Sequence, residues 1–149
     1  LFGDILAIEA SEVWLSVGLA AVVVFTVILN YHKFMYMTFD REAAKAAGIK
    51  IDRLDVILTV LTAVTVVLGM KVVGVLLVSA LVVIPAAAGL QWAANFKQAM
   101  ILSCLVALIS VLVGLLFSFY FDFPSSGAIV ILSFLFFALF FVFKKRKFL

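Results

Sequence analysis

The chain has 149 residues, 68% of them hydrophobic and only 13% charged, with a formal net charge of +3. A soluble domain is closer to half apolar and a quarter charged, and one small core cannot enclose this much apolar side chain. The composition therefore excludes an ordinary soluble fold and a basic nucleic-acid module, and it makes lipid the solvent. The single cysteine, Cys104, excludes an intrachain disulfide or a cysteine metal cluster.

The opening stretch from Leu1 to Leu6 has no charged region followed by a cleavage site. It reads like the interior of a longer protein, so a fragment, a split gene product or a partial chain is expected. Five apolar segments follow: Val13–Leu29, Val56–Met70, Val72–Ala94, Ala99–Phe119 and Ala128–Phe143. A helix needs about 20 apolar residues, and no fewer than about 17, to cross the hydrocarbon core. The second segment is short unless Leu54 and Asp55 sit at the interface. The fifth gains from Phe121, Phe123 and Phe148. Backbone groups in lipid must pair internally, and these runs lack strict two-residue alternation, so helices are predicted rather than strands. The expected fold is an all-α polytopic bundle of about five spans.

The first loop, from Thr38 to Asp52, is the most polar stretch. Thr38 or Asp40 can cap a short helix, whose start suits Asp40 and Glu42 and whose later part suits Lys45. Ala43, Ala44, Ala46 and Ala47 favour helix, and Gly48 is placed to end it. Two turns of helix are not stable alone in water. Either the membrane or the protein's own bundle holds this helix, or a partner takes it into a groove.

Between the second and third segments, Gly69 and Gly74 bracket Lys71, which predicts a tight turn at a membrane face or a break in a re-entrant element. Pro85 predicts a kink or a helix break, with small residues Ala86 to Gly89 behind it for close packing or a pathway lining. The loop around Asn95–Gln98 separates the third and fourth segments. Asp122 stands before Pro124 as a helix cap or part of an acidic mouth.

Ten of the eleven basic residues fall on one side when the first loop, the Asn95–Gln98 loop and the C-terminus are placed together, leaving Lys71 opposite. The positive-inside rule makes that side cytoplasmic, with the N-terminus outside and the C-terminus inside. Asp4, Glu9, Glu12 and Asp122 then lie outside. The basic tail Lys144–Lys147 anchors the last span and attracts anionic headgroups.

Few side chains in the spans could bind an ion. His32 reads as an interface anchor or a ligand; Met35, Met37, Met70 and Met100 read as packing or interface residues, and Cys104 as buried packing. Thr59, Thr62, Thr65, Ser79, Ser103, Ser110 and Ser118 can bond back to helix carbonyls. The metal-contacting residues stay unassigned. The near absence of ionisable residues in the spans counts against an ion-coupled carrier.

Glu42-Ala43-Ala44, three residues and then Gly48 resembles the Glu-Ala-Ala-x-x-x-Gly signature of importer permeases in the ATP-binding cassette class. The run from Lys71 to Ala87 resembles the Lys-x-x-Gly-x-Leu-Leu-x-x-Ala-Leu-x-x-x-Pro-Ala run of the zinc, manganese and iron permeases. Phe39-Asp40 and Asp122-Phe123-Pro124-Ser125 are similar to the same family. The matching blocks extend from about Phe39 to Gly127, so the chain corresponds to the C-terminal part of a permease about twice as long.

The resemblance implies that residues 38–50 form a coupling helix docking on a separate ATPase. Phe39, Asp40, Glu42, Ala43, Ala44 and Gly48 would make that contact, and Gly74, Pro85 and Asp122 would serve the pathway or gate. It further implies a transported divalent metal, ATP bound by the partner, an extracellular metal-binding protein and a homodimer of permease subunits. The sequence contains no Gly-x-x-x-x-Gly-Lys-Ser/Thr loop, so ATP hydrolysis would fall to the partner and this chain would hold no cofactor. Two departures bear on the outer gate and on a hydroxyl contact: Ser126 lengthens the family's Pro-Ser-Gly, and Ala88 replaces a usual threonine. A non-transport membrane scaffold is the other reading of the same loop.

Overall fold

The computed structural model describes residues 10–147, with side chains described as far as Val142. The opening six residues, Asp4, Glu9, the side chains of the basic tail and Phe148 lie outside the described residues. Six helices follow in order: α1 (Ala10–Phe39), α2 (Arg41–Ala46), α3 (Ile51–Val73), α4 (Val75–Trp92), α5 (Phe96–Phe121) and α6 (Ser125–Lys147). All but α2 are long and apolar enough to cross a membrane. The chain divides into two compact units, one from Ala7 to Gly69 and one carrying Met70 onward.

In the first unit, α1 has 30 residues. At about 1.5 Å per residue it outruns the hydrocarbon core, so its last turns project beyond the membrane. The described apolar windows of α1 and α3 carry no buried residues. Burial is concentrated at the end of α1 and the start of α3, where Phe34, Met37, Ile51 and Leu54 close around Ala44 of α2. Val27, Ile49 and Leu58 pack against this cluster. The second apolar segment reaches spanning length because α3 begins at Ile51 and takes in Leu54 and Asp55.

The two-glycine turn expected around Lys71 is corrected to a one-residue break. α3 runs on through Gly69 and Lys71, and only Gly74 leaves the helix, at φ 90°. That left-handed region suits glycine and interrupts the helix in a single step. The Gly74 N–H still bonds to the Met70 carbonyl at 3.1 Å, and its own carbonyl accepts from Val78 N–H at 3.2 Å.

In the second unit α4, α5 and α6 pack on one another. The helix break considered at Pro85 does not occur: α4 is continuous through it, and Pro85 is fully buried. One missing backbone donor is tolerated where neighbouring helices enclose the site. The loop before α5 is shorter than expected. Asn95 is the cap residue, and Lys97 already lies in the first turn.

Small residues set the packing. A methyl group added to Gly89 would meet the Ser103 side chain and approach the Ala99 carbonyl to 2.8 Å. One added to Gly114 would lie 2.6 Å from Ile129 Cγ1 and 2.8 Å from its Cα. Close backbone approach of this kind drives association where lipid removes the hydrophobic incentive. The Trp92 indole N–H donates to the Phe140 carbonyl at 3.0 Å and ties the end of α4 to α6. Cys104, expected as buried packing, is exposed. It shares a helical face with Ile101, Leu105 and Leu108, which point away from the packed side.

Candidate functional site

The loop from Phe39 to Ile51 is held at both ends by its own polar chemistry. Asp40 rather than Thr38 caps α2: its backbone is extended, and its Oδ1 accepts from the Ala43 N–H at 2.9 Å. Thr38 instead donates its hydroxyl to the Phe34 carbonyl at 2.8 Å, inside the last turns of α1. At the other end Gly48 takes φ 80°. Its N–H reaches the Lys45 carbonyl at 2.9 Å, and the Ile49 N–H reaches the Ala44 carbonyl at 3.0 Å. This paired closure is a Schellman motif, and the apolar residue after the glycine packs back on the helix as that motif favours.

Only one of the four alanines is used for attachment. Ala44 is 1% exposed and inserts among Phe34, Met37, Ile51 and Leu54. Ala43, Ala46 and Ala47 stay exposed, together with Glu42 and Lys45. Phe39, at the helix junction, is 72% exposed. Arg41 braces the arrangement from outside: one guanidinium nitrogen donates to both Asp55 oxygens, at 2.9 and 3.1 Å. The result is a short helix fixed on one face and open on the other.

The other predicted residues belong to the second unit. Gly74 forms the break before α4, Pro85 lies in the buried middle of α4, and Asp122 ends α5 in the left-handed conformation at φ 50°. Ser118 bonds across that end to the Phe123 carbonyl at 2.6 Å instead of bonding back to its own helix. Thr65, Ser79 and Ser103 do bond back, to Leu61, Val75 and Ala99.

Ser110 and Ser133 are fully buried, and their hydroxyls have no hydrogen-bond partner among the described residues. Gly114 meets Ile129, and α5 and α6 run in opposite directions. One turn back along α5 and one turn forward along α6 bring Ser110 and Ser133 to the same level. Sequence reasoning did not single out Ser133 or Gly114. Their helical spacing from Ile129 and Ser110 was the available signal.

Among the described residues no three His, Cys, Asp or Glu side chains converge on a point that could hold a metal. His32 is exposed and packs edge-on against Tyr31, ring centroids 5.3 Å apart.

These features define a polytopic α-helical membrane protein with a capped helix presented in a polar loop. The sequence profile of the ABC 3 transport family matches residues 1–144, and the chain belongs to that family. It is 30% identical over 147 residues to the manganese transport system membrane protein MntC of Listeria monocytogenes, covering 99% of this chain and 52% of that protein. It is 32% identical over 134 residues to the high-affinity zinc uptake system membrane protein ZnuB of Haemophilus influenzae, covering 89% and 51%. Among solved structures it is similar to PsaBC from Streptococcus pneumoniae in complex with Fab. That match has a TM-score of 0.88 and 27% identity, and it covers 95% of this chain and 51% of that one. The chain spans about half the length of the curated relatives it matches. Family and helices together make it a multi-pass protein of a prokaryotic plasma membrane.

Proposed function

We propose that this chain forms the C-terminal part of the membrane-spanning permease of an ATP-driven importer for a divalent metal ion, manganese, zinc or iron. The observation that carries the reading is the one-sided attachment of α2. Ala44 and the two caps fix the helix, while Phe39, Glu42, Ala43 and Ala46 remain open to a partner. A preformed helix spares the partner the ordering cost that a floppy loop would impose. Its small exposed side chains suit insertion into a groove. The relatives named for manganese and zinc transport support the cargo class.

In this reading a separate ATP-binding cassette ATPase holds the nucleotide and grips α2. Asp40 and Gly48 act by holding the helix in shape, and Ala44 by seating it. Gly74, Pro85 and Asp122 serve the pathway or its gate. An extracellular metal-binding protein delivers the ion, and two permease subunits pair around the path. A conduit has to release its cargo, so weak coordination along the path suits the role.

The test is to change Glu42→Ala and Gly48→Val separately in reconstituted full-length complexes, then measure ATPase association and metal-dependent ATP hydrolysis. Glu42→Ala removes one exposed side chain, whereas Gly48→Val forces a branched residue to φ 80° and loosens the whole helix. The expected result is weaker association for both and a larger loss of hydrolysis for Gly48→Val. Unchanged association and hydrolysis would sink the coupling role and leave the scaffold reading.

A further inference from the structure

Between the end of α1, the loop after α2 and the start of α3 lies a second feature that ATPase coupling does not use. Asn30 and Lys33 of α1, Gly48, Ile49 and Lys50 of the loop, and Arg53 with its neighbours on α3 surround a cavity of about 390 Å³. The lining includes three cationic side chains and no carboxylate. Among the described residues no carboxylate forms an ion pair with Lys33, Lys50 or Arg53. Lys33 donates to the Asn30 side-chain oxygen at 3.2 Å, and Asp55 is already engaged by Arg41. Asp52, the other acid nearby in sequence, is exposed and outside the lining.

The height of the cavity identifies its ligand. The first apolar segment stops at Leu29, so Lys33 stands one turn beyond it. The next begins at Val56, so Arg53 stands one turn short of it. Lys33 and Arg53 therefore stand at the level at which hydrocarbon gives way to headgroups, on the face that the charge asymmetry makes cytoplasmic, and Lys50 adds its charge from the loop on the headgroup side. The cavity wall is apolar where Ile49, Leu54 and Ile57 line it. Gly48 lines the cavity beside open space, since a methyl group added there would meet nothing within 4 Å. A wall that is cationic at headgroup level and apolar below fits a phosphodiester attached to a glycerol and acyl chains. An aqueous phosphate would leave the apolar part unused.

We propose that this cavity binds the headgroup phosphate of an anionic phospholipid of the cytoplasmic leaflet. Lys33, Lys50 and Arg53 supply the charge, and Ile57, one turn beyond Arg53 on α3, receives the glycerol and first methylenes. The proposal needs the membrane placement of this region but not the metal or ATPase reading. The bound lipid links the end of α1 to the start of α3.

The experiment uses the full-length protein purified from membranes and placed in nanodiscs of phosphatidylglycerol and phosphatidylcholine mixed in equal parts. Native mass spectrometry counts the lipids retained. The wild type is expected to keep at least one phosphatidylglycerol in preference to phosphatidylcholine. Each basic side chain contributes roughly a fivefold preference, so Lys33→Gln, Lys50→Gln and Arg53→Gln together lower it about a hundredfold. Lys97→Gln, a basic residue outside the cavity, leaves it unchanged. Lys33→Arg with Lys50→Arg keeps the charge and the lipid, which separates loss of charge from loss of fold. The proposal is overturned if the triple variant retains as much phosphatidylglycerol as the wild type, or if both lipids are kept equally. It is likewise overturned if millimolar inorganic phosphate displaces the lipid, or if crosslinking from position 53 captures protein and no lipid.

Discussion

The two units hold themselves together by different means. In the unit of α4, α5 and α6, helices touch along their lengths through small residues, with Gly89 against Ser103 and Gly114 against Ile129. In the unit of α1, α2 and α3, the span windows are unburied and order is concentrated at one end, in the cluster around Ala44 and the capped loop. The first is membrane packing, in which backbone proximity replaces the hydrophobic effect. The second is the chemistry of a water-soluble protein: a side-chain cap, a Schellman closure, an apolar cluster and a surface ion pair. A membrane protein can use each where its solvent permits.

The strongest way to break the comparison is Gly114→Leu. A leucine there has no room beside the Ile129 backbone, and the expected cost is about 3 kcal/mol or more, with loss of folded yield in detergent. Thermal unfolding of the purified protein checks it, and a wild-type midpoint would refute close packing of α5 on α6. A smaller contrast lies within α2. Ala44→Leu overfills the cluster and is expected to cost about 2 kcal/mol, whereas Ala43→Leu on the exposed side stays within about 0.5 kcal/mol of wild type. Hydrogen exchange across Ala43–Gly48 distinguishes the two. Smallest is Arg41→Gln. Its pair with Asp55 is well exposed, so the loss is expected near 0.5 kcal/mol at low salt and to fade in 0.5 M salt. A salt-independent loss of that size would mean Arg41 acts by packing.

Much of this was legible in the sequence because lipid makes composition informative. Span number followed from segment length, and the C-terminal end of α2 followed from Gly48, while at its start Thr38 and Asp40 were equal candidates until the fold engaged the Thr38 hydroxyl with the Phe34 carbonyl. What stayed hidden depended on direction around a helix. Four alanines in the loop look alike, and only the geometry of α1 and α3 selects Ala44. Cys104 lies in a run that is apolar all round, so no stripe tells its buried face from its lipid face. Pro85 gave a true signal of a missing donor but none about the neighbours that keep α4 continuous around it. The basic cavity escaped notice because Lys33 and Arg53 count separately as interfacial charges until the fold draws them around one space. The family resemblance was legible from the Glu42–Gly48 spacing and the Lys71–Ala87 run. The ion-contacting residues were not, since the spans offer few donors.

The contacts of α5 carry a mechanical consequence. One end is gripped by α4 at Gly89, and the stretch nearer the other end by α6 at Gly114. A rod clamped at two points by different neighbours cannot roll against one without sliding on the other. Close-packed contacts of this kind switch between discrete arrangements rather than bend smoothly. The packing of these three helices is therefore coupled: a rotation of α5 against either neighbour has to shift its contact with the other.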